Sequence, residues 1–339
     1  MGLHLNGFVL LSTVGVLKSS TPYPYATTHT TTLIGVPMTH GQPYTGTDHG
    51  PRLLREFGLL QQLASLGWRV DDAGDLDMET AAASGASNTA SYDGNAKNAT
   101  TVASGTEKLA ETVQQTLQKG NFPLILGGDH SIGIGSLAAI LSHQPDVGVI
   151  WVDAHADIHT PYTSESGNMH GMPIGMVLAE NKDVSNKVPG FSWLDQFPNR
   201  LHPSQLVYVG LRDVDAAERQ LLRDHGITAY TMTDVDRYGI GAVMDKAIHQ
   251  DLKGRPLHVS YDIDAVDPVW APATGTAVRG GLTFREAHYV AEVIASSGRL
   301  LAAELVELNP SLSSDAEGGN ITIDLGLQIL TSLMGKCIL

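Results

Sequence analysis

Cysteine is almost missing from this chain, with Cys337 the one thiol among 339 residues. No intrachain disulfide can form, which excludes a small secreted scaffold held by cross-links and makes a reducing compartment the natural setting. Basic side chains are scarce too, 21 Lys and Arg against 36 Asp and Glu, for a net charge of -15. That balance argues against nucleic acid or an anionic membrane surface as partner and suits a cationic small molecule. Long apolar runs are lacking as well. Nothing approaches the roughly 20 consecutive apolar residues that span a bilayer, so an integral membrane protein is excluded. A cytoplasmic location is expected, with a mitochondrial one as the alternative.

Arginine is absent from residues 1–32, where Lys18 is the single lysine. This segment has a short apolar run from Gly7 to Leu17 and then a Ser/Thr/Tyr-rich stretch to Thr32. It reads as an N-terminal extension, either a weak targeting signal or a disordered tail. Without arginine it matches a mitochondrial presequence poorly, and its apolar run lacks the basic flank of a secretory signal. The globular pattern begins with LIGVP at Leu33, which assigns residues 33–339 to one catalytic domain. A second low-complexity stretch, Ala81 to Gly105, is rich in Ala, Ser, Asn and Gly and reads as a long surface loop. Neither segment is expected to carry chemistry.

What the chain does contain supports a sizeable core, since 42% of its 339 residues are apolar. Short β-rich runs alternate with helical ones. After LIGVP comes a proline-started helix with Leu53, Leu54, Phe57 and Leu60 on one face. A helix opening with Ser104 and Glu107 at capping-box spacing aligns Leu109, Val113 and Leu117 and stops at Gly120. Strand runs PLIL, VGVIWVDAHAD, LVYVGLRD, ITAY, PLHVSYDID and LLAAELVEL follow, with helices between them, one begun by the pair Thr283 and Glu286. Such alternation implies an α/β fold whose largely parallel sheet is covered on both faces, with ligands beyond the carboxyl ends of the strands. No internal repeat or linker divides it.

The chemistry concentrates at three of those ends. In Asp153-Ala154-His155-Ala156-Asp157, positions two apart share one side of an extended chain, so Asp153, His155 and Asp157 face one point. Gathering carboxylates and an imidazole beside an apolar strand is costly without a compensating cation. Asp262 and Asp264 repeat the arrangement after PLHVSY, and Gly127-Gly128-Asp129-His130-Ser131 adds a second imidazole after PLIL. His130 by itself would read as a structural hydrogen-bonder. With the other five it completes six candidate ligands, too many for one small ion with open positions. Four carboxylates and two imidazoles without a thiolate suit a pair of ions such as manganese rather than a structural zinc. A water between two such ions becomes a nucleophile near neutral pH.

In this order and spacing, GGDHS, DAHAD and SYDIDAVDP resemble the three signatures of the ureohydrolase (arginase/agmatinase) family, and the resemblance runs from Leu33 to Gly335. It includes GQPYTGTDHGPRLLR near the start and PATGTAVRGGLTFRE near the end. It implies a single three-layer α/β/α domain with an eight-stranded, mainly parallel sheet, assembled as a homo-oligomer, a trimer or hexamer. It also implies two Mn2+ per subunit. His130, Asp153, Asp157 and Asp262 would hold one ion and Asp153, His155, Asp262 and Asp264 the other, with Asp153 and Asp262 bridging.

The loop SGNMHGMP and the run ATGT resemble the arginase branch more than agmatinases. The implied reaction is manganese-dependent hydrolysis of L-arginine to L-ornithine and urea by a metal-bridging hydroxide, which Asp157 orients. His170 matches the proton-shuttling histidine, a task that suits imidazole. Glu307 matches the carboxylate that pairs with the always-protonated guanidinium. At the amino-acid end Asp215 matches the reader of the amino group, with Glu218 assisting. Ser166 matches a carboxylate contact, Ser164 stands where a threonine is usual, and Thr276 of ATGT completes the substrate-binding set. His159 stands where arginases carry asparagine. When protonated, it would attract the substrate carboxylate. The alternatives are an agmatinase or other guanidino-substrate ureohydrolase, and a catalytically silent homologue.

Overall fold

The computed structural model describes residues 23–78, 92–313 and 316–338. Each of the seven strand runs from LIGVP to LLAAELVEL forms a strand: β1 (Thr30–Val36), β3 (Phe122–Gly127), β4 (Gly148–Val152), β5 (Leu206–Leu211), β6 (Thr228–Thr231), β7 (Leu257–Asp262) and β8 (Leu300–Val306). The eighth strand that the resemblance implies is β2 (Arg69–Asp75), whose sequence, RVDDAGD, is not among the runs singled out. It pairs only with β1 at one edge of the sheet and is largely exposed, so it needs no apolar alternation. The sheet order is β2-β1-β3-β8-β7-β4-β5-β6, and every pairing is parallel.

Side chains alternate along each central strand between two cores. Leu33, Leu124, Leu126, Ile150, Val152, Val259 and Leu305 face helices α1 (Gly50–Glu56), α2 (Leu59–Ser65), α6 (Phe284–Ser296) and α7 (Ala316–Leu333). Ile34, Ile125, Val149 and Trp151 face α3 (Ala99–Gln118) and α4 (Gly133–His143) on the other side. With both faces covered, the period of two is hidden in continuous apolar sequence, as parallel sheets require. Between β5 and β6 runs α5 (Ala216–His225).

Two sequence expectations are corrected. Helix α3 begins at Ala99 after Asn98, not at Ser104, so residues 99–105 belong to a helix rather than a surface loop. Val102, Ala103 and Gly105 are buried there. The small residues that resembled low complexity serve close packing: a Cβ on Gly105 would strike Met38 and Met78, and one on Gly135 of α4 would strike the backbone of Thr106. Residues 81–91 of that stretch lie outside the described residues. At the other end, β1 starts at Thr30, and the chain before it is docked from Tyr23 onward. Tyr23 donates to the carbonyl of Leu333 at 2.7 Å and packs edge-on to Trp68 and Phe122. Residues 1–22 of the expected extension lie outside the described residues.

Candidate active site

The ends of β3, β8, β7 and β4 lie side by side at the centre of the sheet, and the candidate residues converge there. They do so through turns rather than through strand alternation. β4 ends at Val152; Oδ1 of Asp153 then accepts from the backbone N–H of His155 at 2.7 Å, and Asp157 takes a left-handed φ of 50°. β7 ends similarly, with Oδ1 of Asp262 accepting from the N–H of Asp264 at 2.7 Å. Aspartate favours such turns because its carboxylate mimics a backbone acceptor two residues away. Beside them, Gly128 lies so close to the backbone of Met38 that no Cβ fits, and its carbonyl accepts from the N–H of Glu307 at 2.9 Å.

His130 is 1% exposed, with its ring stacked on Trp151 at 4.1 Å and its Nε2 held by Ser260 Oγ at 2.8 Å. Its Nδ1 points into a nest of three carboxylates, 3.1 Å from an oxygen of each of Asp153, Asp157 and Asp262. That nitrogen makes no well-formed hydrogen bond. One ring nitrogen cannot satisfy three anions, whereas a cation among the four would satisfy all of them. A second nest adjoins it: His155 Nδ1 lies 3.1 Å from Asp264 and 3.4 Å from Asp153. Asp153 thus belongs to both, and the donor groups His130, Asp153, Asp157 and Asp153, His155, Asp264 are each placed to hold a metal ion. Thr276 Oγ1 donates to Asp264 at 2.9 Å and steadies the second nest.

The protein alone holds this charge with difficulty. Burial, then the charge of Asp153, pushes the carboxyl of Asp157 up to about 6. Burial, then Asp264 and Asp153, raises Asp262 well above the usual carboxylate range. For Asp153 burial acts in the same sense, but the neighbouring imidazoles of His130 and His155 outweigh it and hold the group low. Burial disfavours the imidazolium forms of His130 and His155, yet the surrounding carboxylates raise both. Cations in the nests would remove the need for those protons.

A cavity of about 230 Å³ opens above the nests, lined by His155, Asp157, Asp262, Thr276 and His170 below and by His159, Asp213, Asp215 and Glu218 at the mouth. At the mouth, Asp215 caps α5, accepting from the N–H of Glu218 at 2.8 Å through Oδ1, while its Oδ2 meets His159 Nε2 at 2.9 Å. Glu307 is 1% exposed behind His170 and does not line the cavity. Like Asp157 it occupies a left-handed backbone position, φ 63°, rare for a residue other than glycine. Its Oε1 accepts from the N–H of His130 at 2.8 Å and faces His170 Nδ1 at 3.3 Å, and its Oε2 accepts from Gln42 at 2.7 Å. Burial opposes its charge, but those contacts hold it low and raise His170 in turn.

The hydroxyls of Ser164 and Ser166 turn inward to their own loop, accepting from the N–H groups of Gly167 and Asn168 at 3.0 and 3.2 Å. They are not part of the cavity wall. Gln42, Asp213 and Ser260 were missed from sequence. Gln42 lies within the quoted GQPYTGTDHGP and Asp213 two residues before Asp215, but each acquires its partner only in three dimensions.

The sequence model of the arginase family matches residues 29–335. The chain belongs to the arginase family. It is 42% identical over 318 residues to an arginase of Glaciozyma antarctica, covering 93% of this chain and 90% of that protein. It is 41% identical over 310 residues to the mitochondrial arginase-2 of Homo sapiens, covering 91% of this chain and 85% of that one. Among solved structures, the arginase of Bacillus caldovelox superposes with a TM-score of 0.79 at 38% identity, covering 91% of this chain and 99% of its own. The chain is therefore an arginase-family hydrolase, with the two nests at the sheet centre as its candidate metal centre. No described helix is long and apolar enough to cross a membrane.

Proposed function

We propose that this protein hydrolyses L-arginine to L-ornithine and urea with two manganese ions. The observation that carries the reading is the nest around His130 Nδ1, which shares Asp153 with a second nest beneath a cavity whose mouth is acidic. His130, Asp153, Asp157 and Asp262 would hold one ion, and Asp153, His155, Asp262 and Asp264 the other. Oxygen and imidazole donors without thiolate suit manganese. Such a pair, when bound, supplies the positive charge that lets a water act as nucleophile near neutral pH.

The chain's own groups do the rest. Asp157, on the cavity floor, accepts a hydrogen bond from the attacking water and fixes its direction. Glu307 sets the position of His170 and supplies negative charge toward the guanidinium. His170, facing the cavity with Nδ1 toward Glu307, delivers the proton that the departing amine needs. At the mouth, Asp213, Asp215 and Glu218 attract the α-amino group, and the α-carboxylate falls by resemblance to Ser164 and Ser166, whose hydroxyls turn into their own loop. Assembly as a homo-oligomer and a cytoplasmic or mitochondrial location belong to the same reading.

One observation favours a second reading. His159 already engages the outer oxygen of Asp215, which competes with an α-amino group and would suit a substrate without an amino-acid end, such as agmatine. The deciding experiment measures urea release from L-arginine and from agmatine, with manganese-loaded and with chelated protein. Manganese-dependent release from arginine is expected. Preference for agmatine would replace the substrate, and loaded protein silent on both would overturn hydrolysis of either compound.

A further inference from the structure

The two ends of the loop from His159 to His170 line the cavity, and a short strap, residues 92–98, clasps the middle of the loop from outside before entering α3. Asn95 supplies most of the clasp. Its backbone N–H donates to Pro161 at 2.7 Å, and its side-chain Nδ2 donates to the carbonyls of Ser164 at 3.1 Å and Glu165 at 3.0 Å. The N–H of Lys97 donates to Gly167 at 2.8 Å. Gly167 has a left-handed φ of 72°, and a Cβ there would collide with the Asn95 amide, so the loop is shaped to receive this side chain. Tyr92 meets Tyr162 edge-on at 6.5 Å. The strap is tied in turn to the floor of the site. Asn98 Nδ2 donates to the carbonyl of His40 at 2.9 Å, and the carbonyl of the next residue, Gly41, accepts from the N–H of His170 at 3.0 Å. One turn therefore anchors both the strap and the catalytic end of the loop.

We propose that Asn95 is a specificity-determining positioning residue. By holding the Ser164 and Glu165 carbonyls it sets the course of the loop between His159 and His170, and so how the amino-acid end of the substrate is read. It leaves the guanidinium end untouched, because Glu307 is held by Gln42 and by the N–H of His130 and not by Asn95. The inference rests on the arginine reading above. The hydrogen-bond donor is the working part: an aspartate has nearly the same shape but offers oxygen to two carbonyl oxygens, whereas glutamine keeps the amide.

The test uses the manganese-loaded enzyme and its Asn95→Ala, Asn95→Asp and Asn95→Gln variants. Michaelis constants for L-arginine are measured together with inhibition by L-ornithine, which has the amino-acid end alone, and by guanidinium ion, which has the other end alone. Loss of two side-chain hydrogen bonds corresponds to a rise of about 5- to 150-fold. That rise is expected in KM and in the ornithine inhibition constant for Asn95→Ala and Asn95→Asp, with partial recovery in Asn95→Gln. The kcat and the guanidinium inhibition constant should stay within about threefold. If Asn95→Ala fails to fold, Asn95→Asp carries the comparison. Unchanged ornithine binding, or parallel loss of kcat, guanidinium binding and thermal midpoint, would overturn the proposal. A wild-type enzyme that releases no urea from arginine overturns instead the reading on which it rests.

Discussion

Glu218 sits 6% exposed at the cavity mouth, its Oε2 accepting from the N–H of Asp215 at 3.2 Å. Burial, and then the charge of Asp157, pushes its carboxyl from 4.5 up to about 7. The fold therefore favours its protonated form. That contribution is fully present below about pH 4.5 and is lost as the pH rises through about 7. In metal-free protein, Glu218→Gln should raise the thermal midpoint at pH 8, by on the order of 2 kcal/mol in stability, and the advantage should vanish near pH 4.5. Thermal melts of both proteins from pH 4.5 to 8.5 check this, and a pH-independent difference would contradict it. A second single-residue case is Gln42, whose amide takes one oxygen of Glu307. Gln42→Leu leaves that buried oxygen without its donor, a cost of roughly 1–3 kcal/mol in an apolar setting. KM for arginine should rise about tenfold while bound manganese stays the same, which steady-state kinetics and metal analysis would show.

At the scale of elements, the start of α6 gives the plainest case. Thr283 Oγ1 accepts from the N–H of Glu286 at 3.3 Å, and Glu286 Oε2 accepts from the N–H of Thr283 at 2.9 Å. Thr283→Ala should cost about 1 kcal/mol of stability with urea release unchanged, measured by denaturant unfolding and activity on one preparation. This box was legible in the sequence because capping is local. Ser104 and Glu107 have the same spacing but lie one turn or more inside α3, where the preceding Asn98 already starts the helix. A four-residue pattern cannot tell these situations apart. Strands buried on both faces announced themselves as apolar runs, but β2 did not, since its acidic side chains face solvent or Arg55. The candidate ligands were legible because their spacing is short, although the turns that aim Asp157 and Asp264 were not. Gln42 and Asn95 were invisible for the opposite reason, being separated by 265 and 69 positions from partners that only the tertiary fold supplies.

For the whole molecule the largest energetic lever is the gathering of Asp153, Asp157, Asp262 and Asp264, all at most 7% exposed. Cations that bind this folded arrangement and not the unfolded chain stabilise the fold by mass action, about 4 kcal/mol at a thousandfold excess over the dissociation constant. Chelation should lower the thermal midpoint by several degrees, and titrated manganese should restore it. A melt insensitive to both would remove the metal centre from the account.

The strand order bears on how the chain comes into being on the ribosome. β3 and β4 follow one another in the sequence, yet in the finished sheet β8 and β7 stand between them. The two halves of the sheet emerge first, each with a bare edge, and the strands that join them are the last two made. Until Glu307 has left the exit tunnel the candidate site cannot assemble, and the nascent protein carries unpaired strand edges for most of its synthesis. Long-range parallel pairing of this kind folds slowly and leaves sticky intermediates. A truncation that stops before β7 should therefore leave an aggregate rather than a weaker enzyme.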